Sequence, residues 1–194
     1  NYQAVLRDSF DAWFAQLKAQ RTFAFDTETT SLDPLEAKLV GASFCWGDDA
    51  AFYVPLGHIQ VEGQVSIEEF VSRVGPLLSD KNIRKIGQNL KYDAEVLAGY
   101  GVEMGGIAFD TMVASYLLSP DKGGHNLTDL ARDYLGLGII EFEEVLGGAT
   151  TFAEVAIEPA TRYGCQDAHY AWLLWSVLAP KLAEAKLESI FDTI

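Results

Sequence analysis

The chain has 194 residues, of which 49% are apolar and 12% aromatic, enough to build one sizeable core and to exclude a disordered polypeptide. Its net charge of −14 argues against a protein that holds nucleic acid through an extended basic surface, and no apolar run approaches the ~18 residues of a bilayer-spanning helix, so no membrane is expected as a partner. Cys45 and Cys165 stand in unrelated contexts without zinc-type spacing, which reads as two free thiols of a reducing, cytoplasmic compartment.

The chain opens on Asn and closes on "LESIFDTI", as expected of a piece taken from a longer polypeptide. Residues 4 to 19 carry Val5, Leu6, Phe10, Trp13, Phe14 and Leu17 at helical spacing, which predicts a leading amphipathic helix. Three strand-like runs follow, "TFAFDTE", "LVGASFCWG" and "AAFYVPLG", separated by short polar or glycine-containing breaks. Ser66 with Glu69 forms a capping-box pattern that opens a helix over "IEEFVSRVGPLL". "IRKIGQ" reads as a fourth strand, "LKYDAEVLAGYG" as a helix stopped by glycine, and "GIAFDT" as a fifth strand feeding "MVASYLLS". Beyond Pro120 the pattern is helical: "NLTDLARDYLG" ended by Gly136, a short glycine-broken "FEEVLGGATTF", and a long helix from "EPATRYGCQDA" that continues past Pro180 through "PKLAEAKLESIF". Strands first and helices later imply a single α/β domain over 1–194, with a mixed sheet and helices packed on its faces.

Three acidic motifs stand out. Alternate strand residues share a face, so Asp26 and Glu28 in "FAFDTETT" are neighbours, roughly 7 Å apart along the strand. Such a pair suits a hard divalent cation, Mg²⁺ or Mn²⁺, and equally a strand end with two solvated acids. Asp93 closes "GQNLKYD" at a strand-to-helix junction, with Lys81, Arg84, Lys85 and Lys91 close in sequence; it is a candidate ligand or an acid favoured by the helix dipole. Tyr163 and Asp167 in "YGCQD" lie four apart on one helix face, where a carboxylate with a phenol beside it could hold a metal and orient a water, though this spacing is common on any helix.

These motifs, with "FAFDTETTSLD", "LVGASF", "IGQNLKYD", "GIAFDTM", "SYLL", "FEE" and "RYGCQDA" in order over nearly the whole length, resemble the 3′–5′ exonuclease domain family of bacterial DNA polymerase I, in the wider superfamily with four acids and a tyrosine. The resemblance implies a ribonuclease-H-like fold with a five-stranded mixed sheet and helices on both faces. It implies that Asp26, Glu28 and Asp167 hold a first divalent ion, that Asp26 bridges to a second held with Asp93, and that Tyr163 and Glu28 position the attacking water. Gln88, Asn89 and Tyr92 would line the channel for the DNA strand, Leu32 would wedge against the terminal bases, and Phe142 would lie near the strand. The implied activity is hydrolysis of the terminal phosphodiester of a frayed DNA 3′ end by a two-metal mechanism, with release of deoxynucleoside 5′-monophosphates. It would serve as proofreading for a polymerase domain of the same chain in a bacterial, nucleoid-associated setting. A ribonuclease-D-like RNA exonuclease and a catalytically silent DNA-holding module are the alternatives. Thr30 stands where relatives often carry another acid, and Gly124 where a basic residue can occur; the loop "LGGATTF" lacks Lys. His58 reads as a loop residue, His125 as capping or packing with DNA contact as the alternative, and His169 as structural. Trp172, Leu173, Trp175 and Leu178 read as core or interdomain packing.

Overall fold

The computed structural model describes residues 1–193; the last residue of the domain expected over 1–194, Ile194, lies outside the described residues. Six strands, β1 (Tyr2–Ala4), β2 (Thr22–Thr29), β3 (Leu39–Cys45), β4 (Ala51–Pro55), β5 (Arg84–Gly87) and β6 (Ile107–Asp110), form one mixed sheet in the order β1-β4-β3-β2-β5-β6. β2, β3 and β4 are an antiparallel meander, β5 and β6 add in parallel beside β2, and β1 pairs in parallel with β4.

The sixth strand corrects both the expected strand count and the expected leading helix. Tyr2, Gln3 and Ala4 pair with Ala51, Phe52 and Tyr53, and Val5 N donates to Tyr53 O at 2.8 Å. The outer edge of β4 would otherwise leave these backbone groups without partners, and satisfying them outweighs a helical pattern in so short a segment. Only α1 (Phe10–Lys18) remains helical in the first twenty residues, burying Phe10, Trp13 and Leu17.

Side-chain alternation along β2 sorts the core into two layers. Phe23 and Phe25 face α1, α2 (Ile67–Ser79) and α3 (Leu90–Ala98), where Phe44 is the hub, 5.1 Å from Trp13, 5.2 Å from Phe25 and 6.3 Å from Phe70 between ring centroids. Ser66 caps α2 by accepting from Glu69 N at 3.1 Å, while the Glu69 carboxylate turns to Arg7 and Arg73 at 3.3 and 3.4 Å rather than closing the box. On the other face Ala24 packs with α4 (Thr111–Leu118), α5 (Leu127–Leu130) and the 28-residue α7 (Ile157–Glu184), with α6 (Phe142–Leu146) between α5 and α7 in the chain. Helices therefore cover both faces, as expected.

The helix predicted to end at Gly136 does end there, with Gly136 at φ 67°, but its last turn, Ala131–Leu135, is widened to a π turn. α7 runs through Pro180 and stops at Glu184; Lys186 at φ 58° turns the chain before α8 (Glu188–Phe191), so the helical continuation is two helices rather than one. Among the described residues no helix is long and apolar enough to cross a membrane.

Candidate active site

Asp26 and Glu28 are in phase with Ala24, so both project from β2 toward α7. α7 returns Asp167 to the same place: one carboxylate oxygen from each of Asp26, Glu28 and Asp167 lies within 4.8 Å of the others. The close approach of helix to sheet depends on Gly164, one turn before Asp167, where a Cβ would stand 2.8 Å from Tyr53 Cδ2.

Asp93 stands outside this triplet. It sits in the first turn of α3, buried, and its Oδ1 accepts from Thr27 N at 2.9 Å and from Thr27 Oγ1 at 2.6 Å. It is thus fastened to the residue between Asp26 and Glu28, and its charge acts on both.

The electrostatics are those of an anionic cavity. Burial, then the charges of Asp93, Glu28 and Asp167, push the Asp26 carboxyl well above the usual carboxylate range; burial, then Asp167 and Asp93, do the same to Glu28. Asp93 is pushed up to about 7 by burial against the opposing pull of the Thr27 hydrogen bonds. Asp167 is pushed up to about 8 by burial, with the Tyr163 phenol pulling it down and the Glu141 charge adding to the rise. The Tyr163 phenol is itself driven upward, by burial first and then by Asp167, Glu28 and Asp26, so it stays protonated. Its ring is braced by Phe152 at 5.7 Å and Phe142 at 6.1 Å.

Glu28 Oε1 and Asp167 Oδ1 are buried and have no hydrogen-bond partner among the described residues. Buried carboxylate oxygens left bare are costly unless a cation or proton meets them, and hard oxygen donors at this spacing suit a divalent ion such as Mg²⁺ or Mn²⁺. The residues present therefore fit the cation-holding role that the resemblance implied.

The residues expected to line a DNA channel divide into two groups. Leu32 is 93% exposed and is accompanied by Leu35 at 91%, on a loop held by Thr30 N to Lys38 O and by Tyr92, whose hydroxyl donates to Ser31 O at 2.5 Å. Phe142 is partly exposed and stacks at 11° on Phe152. Asn89 is exposed in the left-handed conformation, φ 59°, at the cap of α3. Gln88, by contrast, has both ends of its amide engaged internally, donating to His125 O at 2.8 Å and accepting from Thr111 Oγ1. The basic group around Asp93 does not assemble as its sequence positions suggest. Lys85 is fully buried with Nζ on Asp80 O at 2.7 Å, and Arg84 lies over the Trp175 ring at 5.5 Å; Lys91 is exposed beside Glu95. β5 pairs Arg84 and Lys85 with Thr22 and Phe23, at the other end of β2 from Thr27, to which Asp93 is bonded.

All three histidines are tied into the fold by hydrogen bonds. His169 accepts from Tyr2 OH at 3.1 Å and donates to Asp48 O at 2.9 Å; His125 stacks under Tyr116 at 3.7 Å and meets Ser115 Oγ at 2.8 Å. His58 lies in the loop after β4, as expected, and is buried there. Sequence reasoning missed Asp110. Its Oδ1 accepts from Asn89 N, Met112 N and Val113 N, at 3.1, 2.9 and 3.2 Å, and its Oδ2 from Leu90 N at 2.7 Å, so one carboxylate caps two helices and fixes the loop before Asp93. The N-cap pattern "DTM" was the available signal.

Residues 6–183 match a family model described as 3′–5′ exonuclease. DNA polymerase I of Pseudomonas aeruginosa is 40% identical over 190 residues, covering 94% of this chain and 21% of the relative; DNA polymerase I of Rhizobium leguminosarum is 36% identical over 214 residues, covering 98% and 21%. The chain thus spans about a fifth of the length of these curated relatives. Among solved structures, Brucella melitensis NrnC superposes with a TM-score of 0.72 at 22% identity, over 90% of this chain and 80% of that one, a likeness of fold.

Proposed function

Because this chain belongs to the 3′–5′ exonuclease family, we propose that it hydrolyses the terminal phosphodiester of a DNA 3′ end, releasing deoxynucleoside 5′-monophosphates, as the proofreading domain of a longer DNA polymerase. The observation that carries this reading is the convergence of Asp26, Glu28 and Asp167 within 4.8 Å, with two oxygens bare. Those three carboxylates would hold one divalent ion, Mg²⁺ or Mn²⁺, and Asp26 with Asp93 a second. Such ions supply the positive charge that makes a water nucleophilic at neutral pH and that stabilises a departing 3′-oxyanion. Tyr163, kept protonated, donates a hydrogen bond that, with Glu28 as acceptor, orients the attacking water. Thr27 fixes Asp93, and Gly164 lets α7 bring Asp167 and Tyr163 against β2.

Leu32 and Phe142 offer apolar surface to the bases of a frayed strand. Stacking of this kind is worth about 1–3 kcal/mol per base and is indifferent to sequence. That suits a chain of net charge −14, and it makes DNA binding by this chain alone weak and salt-sensitive, the polymerase domain of the same chain supplying the rest. The setting is a bacterial cytoplasm, at the nucleoid.

Asp26→Ala and Asp167→Ala each abolish Mg²⁺-dependent digestion of a single-stranded DNA oligonucleotide while the far-ultraviolet dichroism is kept. Digestion at the wild-type rate by either variant overturns the assignment. Matched DNA and RNA oligonucleotides in the same assay distinguish a deoxyribonuclease from a ribonuclease-D-like enzyme, and no digestion of either by the wild type leaves a DNA-holding module.

A further inference from the structure

One buried polar chain borders the acids without contributing a ligand. Tyr53, fully buried on β4, faces α7. A Cβ at Gly41 would overlap the Tyr53 hydroxyl, and Gly41 is the direct cross-strand partner of Glu28. Paired residues of an antiparallel ladder hold their Cβ positions about 4.5–5.5 Å apart, so the hydroxyl fills the place of a side chain facing Glu28. From the helix side the same neighbours appear: a Cβ at Gly164 would lie 2.8 Å from Tyr53 Cδ2 and 3.5 Å from Glu28 Oε1. Yet Glu28 Oε1 receives no hydrogen bond among the described residues.

The Tyr53 hydroxyl is engaged by His58 instead. Its Nδ1 lies 2.9 Å from Val155 O, and a carbonyl can only accept, so Nδ1 carries the ring hydrogen and Nε2 presents a lone pair. That lone pair takes the Tyr53 O–H at 2.8 Å. The imidazole is held by its own backbone: Gln64 Oε1 accepts from His58 N, and Gln64 Nε2 donates to His58 O, each at 2.8 Å. Val155 lies two residues before α7, the helix that carries Tyr163 and Asp167.

We propose that His58 is a positioning residue of the site: it engages the Tyr53 hydroxyl hydrogen and so withholds it from Glu28, which keeps a bare oxygen for a divalent cation. This deepens the exonuclease reading and rests on it for what the cation does; Mn²⁺ affinity tests it separately.

The experiment is a calorimetric titration of the 194-residue chain with Mn²⁺. In His58→Asn the amide replaces Nδ1–H on Val155 O but offers no acceptor at the Nε2 position, freeing the Tyr53 hydroxyl to bond Glu28. Mn²⁺ then binds about tenfold more weakly, the scale on which groups behind a ligand act. Tyr53→Phe, which has no hydrogen to give, stays within about threefold of wild type, and Tyr53→Phe with His58→Asn returns to the Tyr53→Phe affinity. His58→Gln, whose amide oxygen reaches the Nε2 position, also stays within about threefold. His58→Leu carries the same expectation as His58→Asn where that variant does not fold. Wild-type affinity in the acceptor-less variants, or a double variant no better than His58→Asn, overturns the proposal and reduces His58 to a loop brace. A wild type that shows this Mn²⁺ pattern but digests no DNA overturns the exonuclease reading and leaves this one standing.

Discussion

Replacing Asp167 by Asn should make the metal-free protein more stable while disarming it. Two ionised carboxylates 4.8 Å apart, the outer limit of the triplet, repel by roughly 3.5 kcal/mol at an effective dielectric of about 20. Protonation caps that cost. Asp167 is held at about 8 against an ordinary value of 3.8, so at pH 7 folding is opposed by at most about 4 kcal/mol from this group, at 1.36 kcal/mol per unit. Taking half of that bound for solvent access and relaxation leaves about 2 kcal/mol, or a rise in Tm of roughly 4–8 °C for a domain of this size. The sign follows from proton counting. Because the folded value is raised, the folded state binds more protons than the unfolded state between about pH 4 and pH 8, and wild-type stability falls as pH rises through that window. Asn has no such dependence, so the gap between variant and wild type is small near pH 4 and widest near pH 8. The assay is thermal unfolding of both proteins in chelator across that range. An Asp167→Asn protein no more stable than wild type at pH 7, or a gap that does not close in acid, refutes the electrostatic account of the cluster.

Other expectations follow from the same geometry. Mn²⁺ at 100 times its Kd raises wild-type stability by about 2.7 kcal/mol and leaves Asp26→Ala unchanged in a thermal-shift titration. Gly164→Ala drives a methyl against Tyr53 at 2.8 Å, destabilises by about 1–3 kcal/mol in urea unfolding, and slows DNA hydrolysis by moving Asp167 and Tyr163 together. Lys85, buried and lowered to about 8 from 10.5, carries one proton more in the unfolded state than in the folded state between those values. Stability therefore rises with pH there by about 2–3 kcal/mol, and Lys85→Met removes the rise. Leu32→Ala leaves digestion of single-stranded DNA nearly unchanged but lowers attack on a duplex 3′ end by about tenfold, the equivalent of one lost base contact.

Much of the scaffold can be read from residue order alone, because β2, β3 and β4 are runs of buried residues bounded by polar breaks. β1 escapes such reading: three residues carry no period, and what makes them a strand is an open edge fifty residues away. The acids are legible by type and by resemblance, but their convergence depends on α7 crossing the sheet, which no local spacing encodes. Lys85 misleads because lysine is ordinarily exposed, and here its ammonium reaches the carbonyl end of α2 instead. Gln88 misleads in the opposite way, its amide closing the internal link between Thr111 and His125. The Tyr53–His58 link is invisible in sequence, since it needs two glycines from other elements to make room for one ring.

α7, which packs across β1 through β5, has a consequence for how the protein is made. A nascent chain that has left the ribosome only as far as β6 already holds Asp26, Glu28 and Asp93, yet it lacks the final carboxylate and the phenol. On the exonuclease reading proposed above, cutting competence would arrive in one late step, when the last long helix docks. A nuclease built in this order would be harmless while half-made, because the helix that completes its core also completes its site.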